Sequence, residues 1–410
     1  MSVRLLHGDC REVLKGLEPE SVQCVCSSPP YFSLRSYLPD GHPDKAKEIG
    51  AETSVAEYVQ ALVEVFREVR RVLHPTGCAW LNLGDSYASD TKGSGGTGKS
   101  SGLRKDGRDE QSRLRSADLS IAHQRFEPRR VSHGLKPKDL LMIPARVAIA
   151  LQEDGWYLRA DCIWAKQNPM PESVRDRPTS AHEHVFLLTR SANYFYDAEA
   201  VAERAASRLQ ARLTGTAEQP KGAARAAAGV QNPLCQGGTS DTRNLRNVWS
   251  IASESCSLAH FAVMPSALAE ICIKAGTSEK GCCPACQAPW VRVTERVPVD
   301  HGMGLASCDH QKLSQMPDRQ PKRLRTPTGQ SLAKTAPRHL GWQPSCSCPD
   351  AGDPVPCTVL DVFAGAGTSL LVADRLQRHA IGIELSSAFC DLIRSRLTAD
   401  APLLADVEAA

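Results

Sequence analysis

The sequence is short of aromatic residues: only 5% of its 410 residues are Phe, Trp or Tyr, although 41% are hydrophobic. Its core therefore has to be mostly aliphatic, and the length allows one large core with attached modules or two to three domains. No apolar run reaches the roughly 18 residues that a membrane-spanning helix needs, so no membrane span is expected. The first nine residues turn polar too soon for a secretory signal, which favours a cytoplasmic protein.

The sequence also lacks a strong overall charge, because its formal net charge is only +3. The charge is unevenly distributed: twelve Lys or Arg accompany five Asp or Glu between Lys92 and Lys138, and seven accompany three between Glu203 and Arg246. Basic segments rich in Gly, Ser or Ala are suited to contacting nucleic-acid phosphates. On composition alone, solvated linkers with incidental charge are the simpler interpretation.

Cysteine, in contrast, is abundant, with 16 residues. Most lie inside apolar runs without the regular spacing of a secreted disulfide framework, so reduced thiols are expected.

One group of cysteines differs from the rest. Cys283 and Cys286 form a Cys-x-x-Cys pair, and Cys346 and Cys348 follow about sixty residues later, with Cys308 and His310 in between. Two thiolate pairs can close a tetrahedral site, which predicts a structural zinc ion held by these four cysteines. Reduced surface cysteines in a disordered insert are the alternative.

Strand-like and helix-like segments alternate along most of the chain, which indicates an α/β sheet. The predicted strands are Val22–Ser27, Cys78–Leu83, Trp156–Ala165, His184–Thr189, Thr358–Leu360 and Ala380–Glu384. The predicted helices are Val55–Leu73, one ending near Asp154, Pro265–Ala275, Ser369–Arg378 and one ending near Leu397.

A glycine-rich turn follows the strand that begins at Thr358. Residues 359–369 read Val-Leu-Asp-Val-Phe-Ala-Gly-Ala-Gly-Thr-Ser, and the acidic Glu384 ends the next strand. Glycines let a ligand approach the backbone, and the following helix offers free N–H groups, so the pattern favours a nucleotide-like cofactor. Glu384 could accept hydrogen bonds from both ribose hydroxyls. A tight packing turn without a ligand is the alternative.

A second motif, Ser28-Pro29-Pro30-Tyr31, directly follows the strand that ends at Ser27. The two prolines fix their own φ angles, so Ser28 and Tyr31 are held in one geometry. Alone, the tetrapeptide is better explained as an ordinary proline-rich turn.

Together the two motifs resemble those of DNA amino-methyltransferases, which carry Asp-Pro-Phe-Ala-Gly-Ser-Gly-Thr and (Asp/Asn/Ser)-Pro-Pro-Tyr. The catalytic motif comes first here, as in the β subgroup of that family. Val362 and Ser369 depart mildly from the pattern but leave the glycines intact. Further similar segments are Gly8-Asp9-Cys10, residues 82–85, 164–169, 182–184, 194–197, 246–249 and 260–265.

The resemblance implies a permuted Rossmann-like methyltransferase fold: a mostly parallel sheet with helices on both faces, inserted loops and a small Cys-rich module. It implies S-adenosyl-L-methionine as cofactor. The residues implied to bind it are Asp9, Phe261, Pro265, Asp361, Phe363, Ala364, Gly365, Gly367, Thr368 and Glu384.

The same resemblance assigns catalysis to Ser28, Pro29, Pro30 and Tyr31. The Ser28 Oγ and the Pro29 carbonyl would hold the hydrogens of an exocyclic amino group, and Tyr31 would stack on a base flipped out of duplex DNA. In the family, Ser at the first motif position accompanies cytosine, so cytosine N4 is the predicted target and adenine N6 the alternative. RNA and protein amino-methyltransferases usually place the cofactor motif first, so the motif order argues against both. A non-catalytic DNA-binding protein is the alternative from another class.

We expect one methyltransferase domain in two halves. Its catalytic half lies in residues 1–200, with a basic insert at 88–135, and its cofactor-binding half lies in residues 246–277 and 351–400. Residues 201–245 are a candidate target-recognition loop, and 278–350 a Cys-rich insert that could bind zinc and the target. Double-stranded DNA is the expected partner; a homodimer and a cognate restriction endonuclease are compatible with the family. The resemblance also implies a bacterial, archaeal or phage-encoded protein.

Overall fold

A computed structural model describes residues 2–34, 36–88, 135–204, 242–256, 259–298, 335–349, 351–400 and 406–409. Most of both basic segments, together with Cys308 and His310, lie outside these residues. Within the described ranges, no helix combines the length and apolarity that crossing a membrane requires.

The chain divides into two compact units. The first comprises Met1–Val201, Arg246–Trp290 and Pro344–Ala410, and the second Ala202–Leu245 and Val291–Gln343. Both sequence motifs and all four clustered cysteines belong to the first unit.

The described ranges contain fifteen strands and six α-helices. The strands are β1 (Ser2–His7), β2 (Val22–Ser27), β3 (Leu73–Leu83), β4 (Tyr157–Lys166), β5 (His182–Thr189), β6 (Glu203–Arg204), β7 (Thr242–Arg243), β8 (Val248–Ile251), β9 (Glu254–Cys256), β10 (Ala259–Val263), β11 (Trp290–Pro298), β12 (Thr335–Pro344), β13 (Thr358–Asp361), β14 (His379–Glu384) and β15 (Asp406–Ala409). The helices are α1 (Cys10–Val13), α2 (Val55–Val72), α3 (Ile143–Glu153), α4 (Ser266–Gly276), α5 (Thr368–Arg375) and α6 (Ser387–Asp400).

Nine strands form one sheet in the order β15-β1-β14-β13-β2-β3-β5-β4-β8. All neighbours pair in parallel except β5, which is antiparallel to both β3 and β4. The remaining strands pair in twos: β9 with β10, β11 with β12, and β6 with β7. The predicted α/β fold with a mostly parallel sheet is therefore confirmed.

Helices cover both faces of the sheet. Successive side chains of a strand point to opposite faces, so each strand contributes to both helix–sheet interfaces. On one face Val25 and Leu81 join the core that α2 and α3 complete. On the other face Gly276 of α4 lies so close to β2 and β3 that a Cβ there would come within 2.7 Å of both the Cys24 and Cys78 sulfurs. Burial of both sheet faces explains why β2 is uniformly buried instead of alternating.

Helix α2 shows why the sequence folds locally as it does. Ser54 caps it by accepting from the Glu57 N–H, and Glu57 accepts from the Ser54 N–H in return, forming a capping box. Its apolar residues recur at helical spacing, and Tyr58, Leu62 and Phe66 are fully buried. The helix ends at Val72, one residue before the predicted end.

Strand β3 differs from the prediction, since it begins at Leu73 and not at Cys78. It runs through Pro75, and its pairing with β2 is irregular between Val22 and Cys24. That irregularity accommodates a residue that cannot donate to a strand ladder.

Candidate active site

The strand order brings the two motifs together although they are more than 300 residues apart. Strand β2 lies directly beside β13, with Cys24 paired to Val359 and Val25 to Leu360. Both strands run in the same direction, so the loops after Ser27 and after Asp361 leave the sheet at the same edge. Ligands of open α/β sheets bind at this carboxyl edge.

The glycine-rich loop is shaped by its acidic residues. Asp361 is buried and accepts hydrogen bonds from Ser27 Oγ (2.5 Å), Phe363 N (3.1 Å) and Ser369 Oγ. Burial nevertheless raises its pKa above the ordinary value. Gly365 adopts a φ of +52°, a conformation that side chains rarely take.

Glu384 closes the other side of this loop. Its Oε2 accepts from Gly365 N at 2.8 Å and its Oε1 from Ser386 N at 2.9 Å. Burial is the main cause that raises the pKa of this carboxyl to about 7. Each oxygen keeps a lone pair for a further donor, so the carboxylate can accept two hydroxyls side by side.

The proline-rich loop is held from both sides. The Tyr58 hydroxyl of α2 donates to the Pro30 carbonyl at 2.9 Å, and Ser33 N donates to Gly50 O at 2.8 Å. Gly50 has a φ of +95°, and a Cβ there would lie 3.2 Å from Pro30 Cβ. The loop therefore has a second stretch of backbone packed against it, which fixes Ser28 and Tyr31.

A polar network supports these two side chains. The Tyr31 hydroxyl donates to Glu183 Oε2, and Asn82 Nδ2 donates to the same oxygen at 3.0 Å and to His184 O at 3.2 Å. Lys166 Nζ forms an ion pair with Glu183 Oε1 at 2.6 Å. Burial, followed by the nearby Glu183 carboxylate, raises the pKa of Tyr31 well above its ordinary value, so the phenol stays a donor.

This network sets the direction of the Ser28 hydroxyl. Because both Asn82 Nδ2 hydrogens are directed at acceptors, Asn82 presents its Oδ1 to Ser28 Oγ, at 3.3 Å. The Ser28 hydrogen is then donated to Asn82, and the Ser28 lone pairs are available to an incoming N–H. An amino group entering the cleft would find an acceptor there.

The two loops line one cleft with a volume of about 230 Å³. All four residues of the proline-rich motif line it. The lining cofactor candidates are Asp9, Asp361, Phe363, Ala364, Gly365, Thr368 and Glu384. Asp9 also caps α1, and its carboxylate forms an ion pair with Arg11 at 2.8 Å.

Two described cofactor candidates, Gly367 and Pro265, do not line the cleft. Gly367 caps α5 with a φ of +75°, and a Cβ there would come 3.0 Å from Ile393, so this position is closely packed. Pro265 caps α4. Phe261 belongs to β10, whose Val263 lines the cleft together with the following Met264.

Sequence reasoning did not assign Asn82, Lys166 and Glu183 to the site, although it noted the segments that contain them. All three lie at the same sheet edge, near the carboxyl ends of β3 and β4 and the start of β5. A buried polar residue within an apolar strand, such as Asn82 and Glu183, is a signal that could have found them.

The four predicted zinc ligands also come together. The sulfur atoms of Cys283, Cys286, Cys346 and Cys348 all lie within 4.8 Å of one another. They do not line the cleft.

Comparison with known proteins shows the family of the chain. The N6/N4 family model described as DNA methylase matches residues 22–283 and 356–395. The chain therefore belongs to this DNA methylase family.

Among curated proteins, the chain is similar to the type II methyltransferase M.SmaI of Serratia marcescens, with 39% identity over 68% of this chain and 77% of that protein. It is also similar to the type II methyltransferase M.Cfr9I of Citrobacter freundii, with 38% identity over 67% of this chain and 72% of that protein.

Among solved structures, it is similar to PvuII DNA methyltransferase (cytosine-N4-specific), with 14% identity, a TM-score of 0.48 and coverage of 100% and 94% of the two chains. The putative DNA modification methylase TTHA0409 of Thermus thermophilus, complexed with S-adenosyl-L-methionine, has 17% identity, a TM-score of 0.44 and 99% coverage of both chains.

Proposed function

We propose that this protein transfers a methyl group from S-adenosylmethionine to the exocyclic amino group of a base in double-stranded DNA, with cytosine N4 as the target. The observation that carries the proposal is the meeting of the two loops in one cleft, joined by the hydrogen bond from Ser27 to Asp361. One loop offers acceptors for a methyl donor's ribose, and the other offers acceptors for an amino group.

The cofactor side of the cleft fits S-adenosylmethionine. The half-buried Glu384 carboxylate has a free lone pair on each oxygen, which suits the two adjacent ribose hydroxyls. Acidic side chains line this side, namely Asp9, Asp361 and Glu384, and they favour a positively charged ligand. Bound S-adenosylmethionine would supply an electrophilic methyl group on a sulfonium.

The acceptor side fits an exocyclic amino group, whose nitrogen is a weak nucleophile because its lone pair is delocalised into the ring. Ser28 Oγ and the Pro29 carbonyl would accept the two amino hydrogens and draw the nitrogen toward a tetrahedral geometry. Asn82 supports this by taking the Ser28 hydrogen. Preorganised acceptors of this kind lower the barrier without reorganising during the reaction.

The target base has to leave the duplex to reach this cleft. Tyr31 lines the cleft with its ring packed over Gly84, and we assign it the role of stacking on the flipped base. The basic segments 92–138 and 203–246 are candidates for phosphate contacts, and residues 201–245 and 278–350 for target recognition. The type II names of the curated relatives also support a cognate restriction endonuclease as partner.

Cytosine N4 is preferred because Ser28 occupies the first motif position, the position that accompanies cytosine in the family. Adenine N6 is the second candidate, since both amino groups need the same two acceptors.

Incubation of the full chain with tritiated S-adenosylmethionine and unmethylated plasmid DNA, followed by nucleoside analysis, tests the proposal. Label in N4-methyldeoxycytidine supports it, and label in N6-methyldeoxyadenosine selects the second candidate. Label in RNA or protein, offered in parallel, would refute the DNA assignment, and DNA binding without label would favour the non-catalytic alternative. Ser28→Ala should remove the activity, whereas Ser21→Ala, outside the cleft, should keep it.

A further inference from the structure

Four cysteines flank strands β11 and β12 along the chain and do not line the cleft. Cys283 and Cys286 come just before β11, and Cys346 and Cys348 come just after β12. We propose that one structural Zn²⁺ ion is bound by Cys283, Cys286, Cys346 and Cys348. The ion would link the two ends of the chain segment that lies between the two cysteine pairs.

The geometry fits a tetrathiolate site. The four sulfur atoms lie within 4.8 Å of one another. A zinc–sulfur bond of about 2.3 Å places neighbouring sulfurs of a tetrahedron at about 3.8 Å, so a small contraction brings all four into contact with one ion. All four are free thiols, and Cys283 is fully buried.

The turn around the first pair of cysteines is closed by its own backbone hydrogen bonds. Gln287 N donates to the Cys283 carbonyl and Cys283 N donates to the Ala288 carbonyl, each at 2.8 Å. This turn requires Gln287 to adopt a φ of +62°, which is unfavourable for a side-chain-bearing residue. The backbone bonds therefore hold Cys283 and Cys286 at a fixed spacing within one turn.

The same turn is anchored to the large sheet. The Cys286 carbonyl accepts from the ring of His74 at 3.2 Å, and the Gln287 carbonyl accepts from Gln23 Nε2 at 3.3 Å. The second pair is tied to the first through Ser345, whose hydroxyl donates to the Pro289 carbonyl at 2.6 Å. A metal ion held here would therefore be fixed to β2 and β3.

The fold also explains why an ion is useful at this place. Strands β11 and β12 pair only with each other among the described strands, and an isolated pair of strands is marginally stable in water. A metal ion bound by four thiolates stabilises the folded state of a segment whose hydrophobic core is too small to do so. We assign the ion as zinc because Zn²⁺ binds tetrahedral sets of four thiolates in structural sites and has no redox chemistry.

Metal analysis of the full chain, purified with a thiol reductant, tests the site without relying on methyl transfer. We expect about one Zn²⁺ per chain, and titration of the thiols with a mercurial should release it into a colorimetric chelator. Replacement by Co²⁺ should give the intense visible absorption of a tetrahedral thiolate complex. Absence of metal, stoichiometric iron, or disulfides among these four cysteines would overturn the proposal.

Two single substitutions check the ligand set. Cys348→Ser should lower the zinc content from about one to near zero and lower the melting temperature. Cys282→Ser is the matched control, because Cys282 adjoins Cys283 but directs its sulfur to Gln287 Oε1 and Pro356 O, bonds that a hydroxyl can keep. Zinc retained in Cys348→Ser, or lost in Cys282→Ser, would contradict the assignment. Should Cys348→Ser fail to fold, the wild-type metal ratio and mercurial release still decide.

Discussion

The Ser27 hydroxyl donates a 2.5 Å hydrogen bond to the Asp361 carboxylate, joining residues 334 positions apart at the ends of two adjacent strands. This bond links the strand that leads into the proline-rich loop to the strand that leads into the glycine-rich loop. Asp361 is almost completely buried, so its charge depends on the few donors around it.

Removing this bond should weaken both the fold and cofactor binding. Ser27→Ala leaves a buried carboxylate with one donor fewer, and we expect a loss of about 1–3 kcal/mol in the free energy of unfolding. The affinity for S-adenosylmethionine should fall as well, since the Asp361 side of the loop is loosened. Denaturant unfolding and isothermal titration calorimetry measure the two effects. Ser395→Ala, which removes an exposed hydroxyl bonded to Asp391 O, should change neither.

The parts of the site that depend on residues close together in the sequence could be predicted, whereas those that depend on distant residues could not be predicted from local patterns. The strands β2 and β13 and the loops after them are encoded locally, by apolar runs followed by proline or glycine. That the two loops are neighbours followed from the family resemblance and its motif order, since no local pattern specifies which parallel strands pair.

The supporting network could not be predicted in the same way. Glu183 reaches Lys166 and Tyr31 because β4 and β5 pair antiparallel, with Trp164 opposite Glu183. That register depends on contacts across the whole sheet. The short strands β8 and β9 were also missed, because three or four residues give too little periodicity to distinguish a strand from a loop.

Cofactor binding should depend on pH through Glu384, whose pKa burial raises to about 7 in the free protein. Ribose hydroxyls donate to the ionised carboxylate, so bound cofactor favours the deprotonated form and lowers this pKa. The affinity should therefore decrease as pH falls below about 7, approaching tenfold per pH unit, with proton uptake by the free protein as the cause.

Calorimetric titrations between about pH 5.5 and 7.5, repeated in buffers of different ionisation enthalpy, would reveal the linked proton. Glu384→Gln should bind more weakly and lose this pH dependence, which separates Glu384 from titration of the ligand. An unchanged pH profile in the variant would assign the proton to another group.

Asn82 should matter for the chemical step more than for cofactor binding. Asn82→Ala removes the acceptor of the Ser28 hydrogen, so the hydroxyl can turn and present its hydrogen to the incoming amino group. We expect kcat for DNA methylation to fall about 10- to 100-fold, equivalent to roughly 1.4–2.8 kcal/mol, with cofactor affinity within about twofold of wild type. Asn247→Ala, an exposed amide bonded to Asp161 O, is the matched control and should leave kcat unchanged.

A further prediction concerns the close approach of Tyr31 to Gly84. A Cβ added at Gly84 would lie 2.6 Å from Tyr31 Cε2, closer than two carbon atoms can approach, so Gly84→Ala has to displace the ring. Loss of base–ring stacking costs about 1–3 kcal/mol, which predicts a roughly 10- to 100-fold lower kcat/KM for DNA. Gly16→Ala is the control, because nothing lies within 4 Å of a Cβ there.

A double-mutant cycle identifies the cause of that loss. If Gly84→Ala acts only by moving the ring, it should add nothing to Tyr31→Ala, and the double variant should match Tyr31→Ala in kcat/KM. Strictly additive losses would mean that Gly84 acts on catalysis by a route other than Tyr31. Binding of S-adenosylmethionine, measured in all three variants, should stay at the wild-type level, because this contact lies on the acceptor side of the cleft.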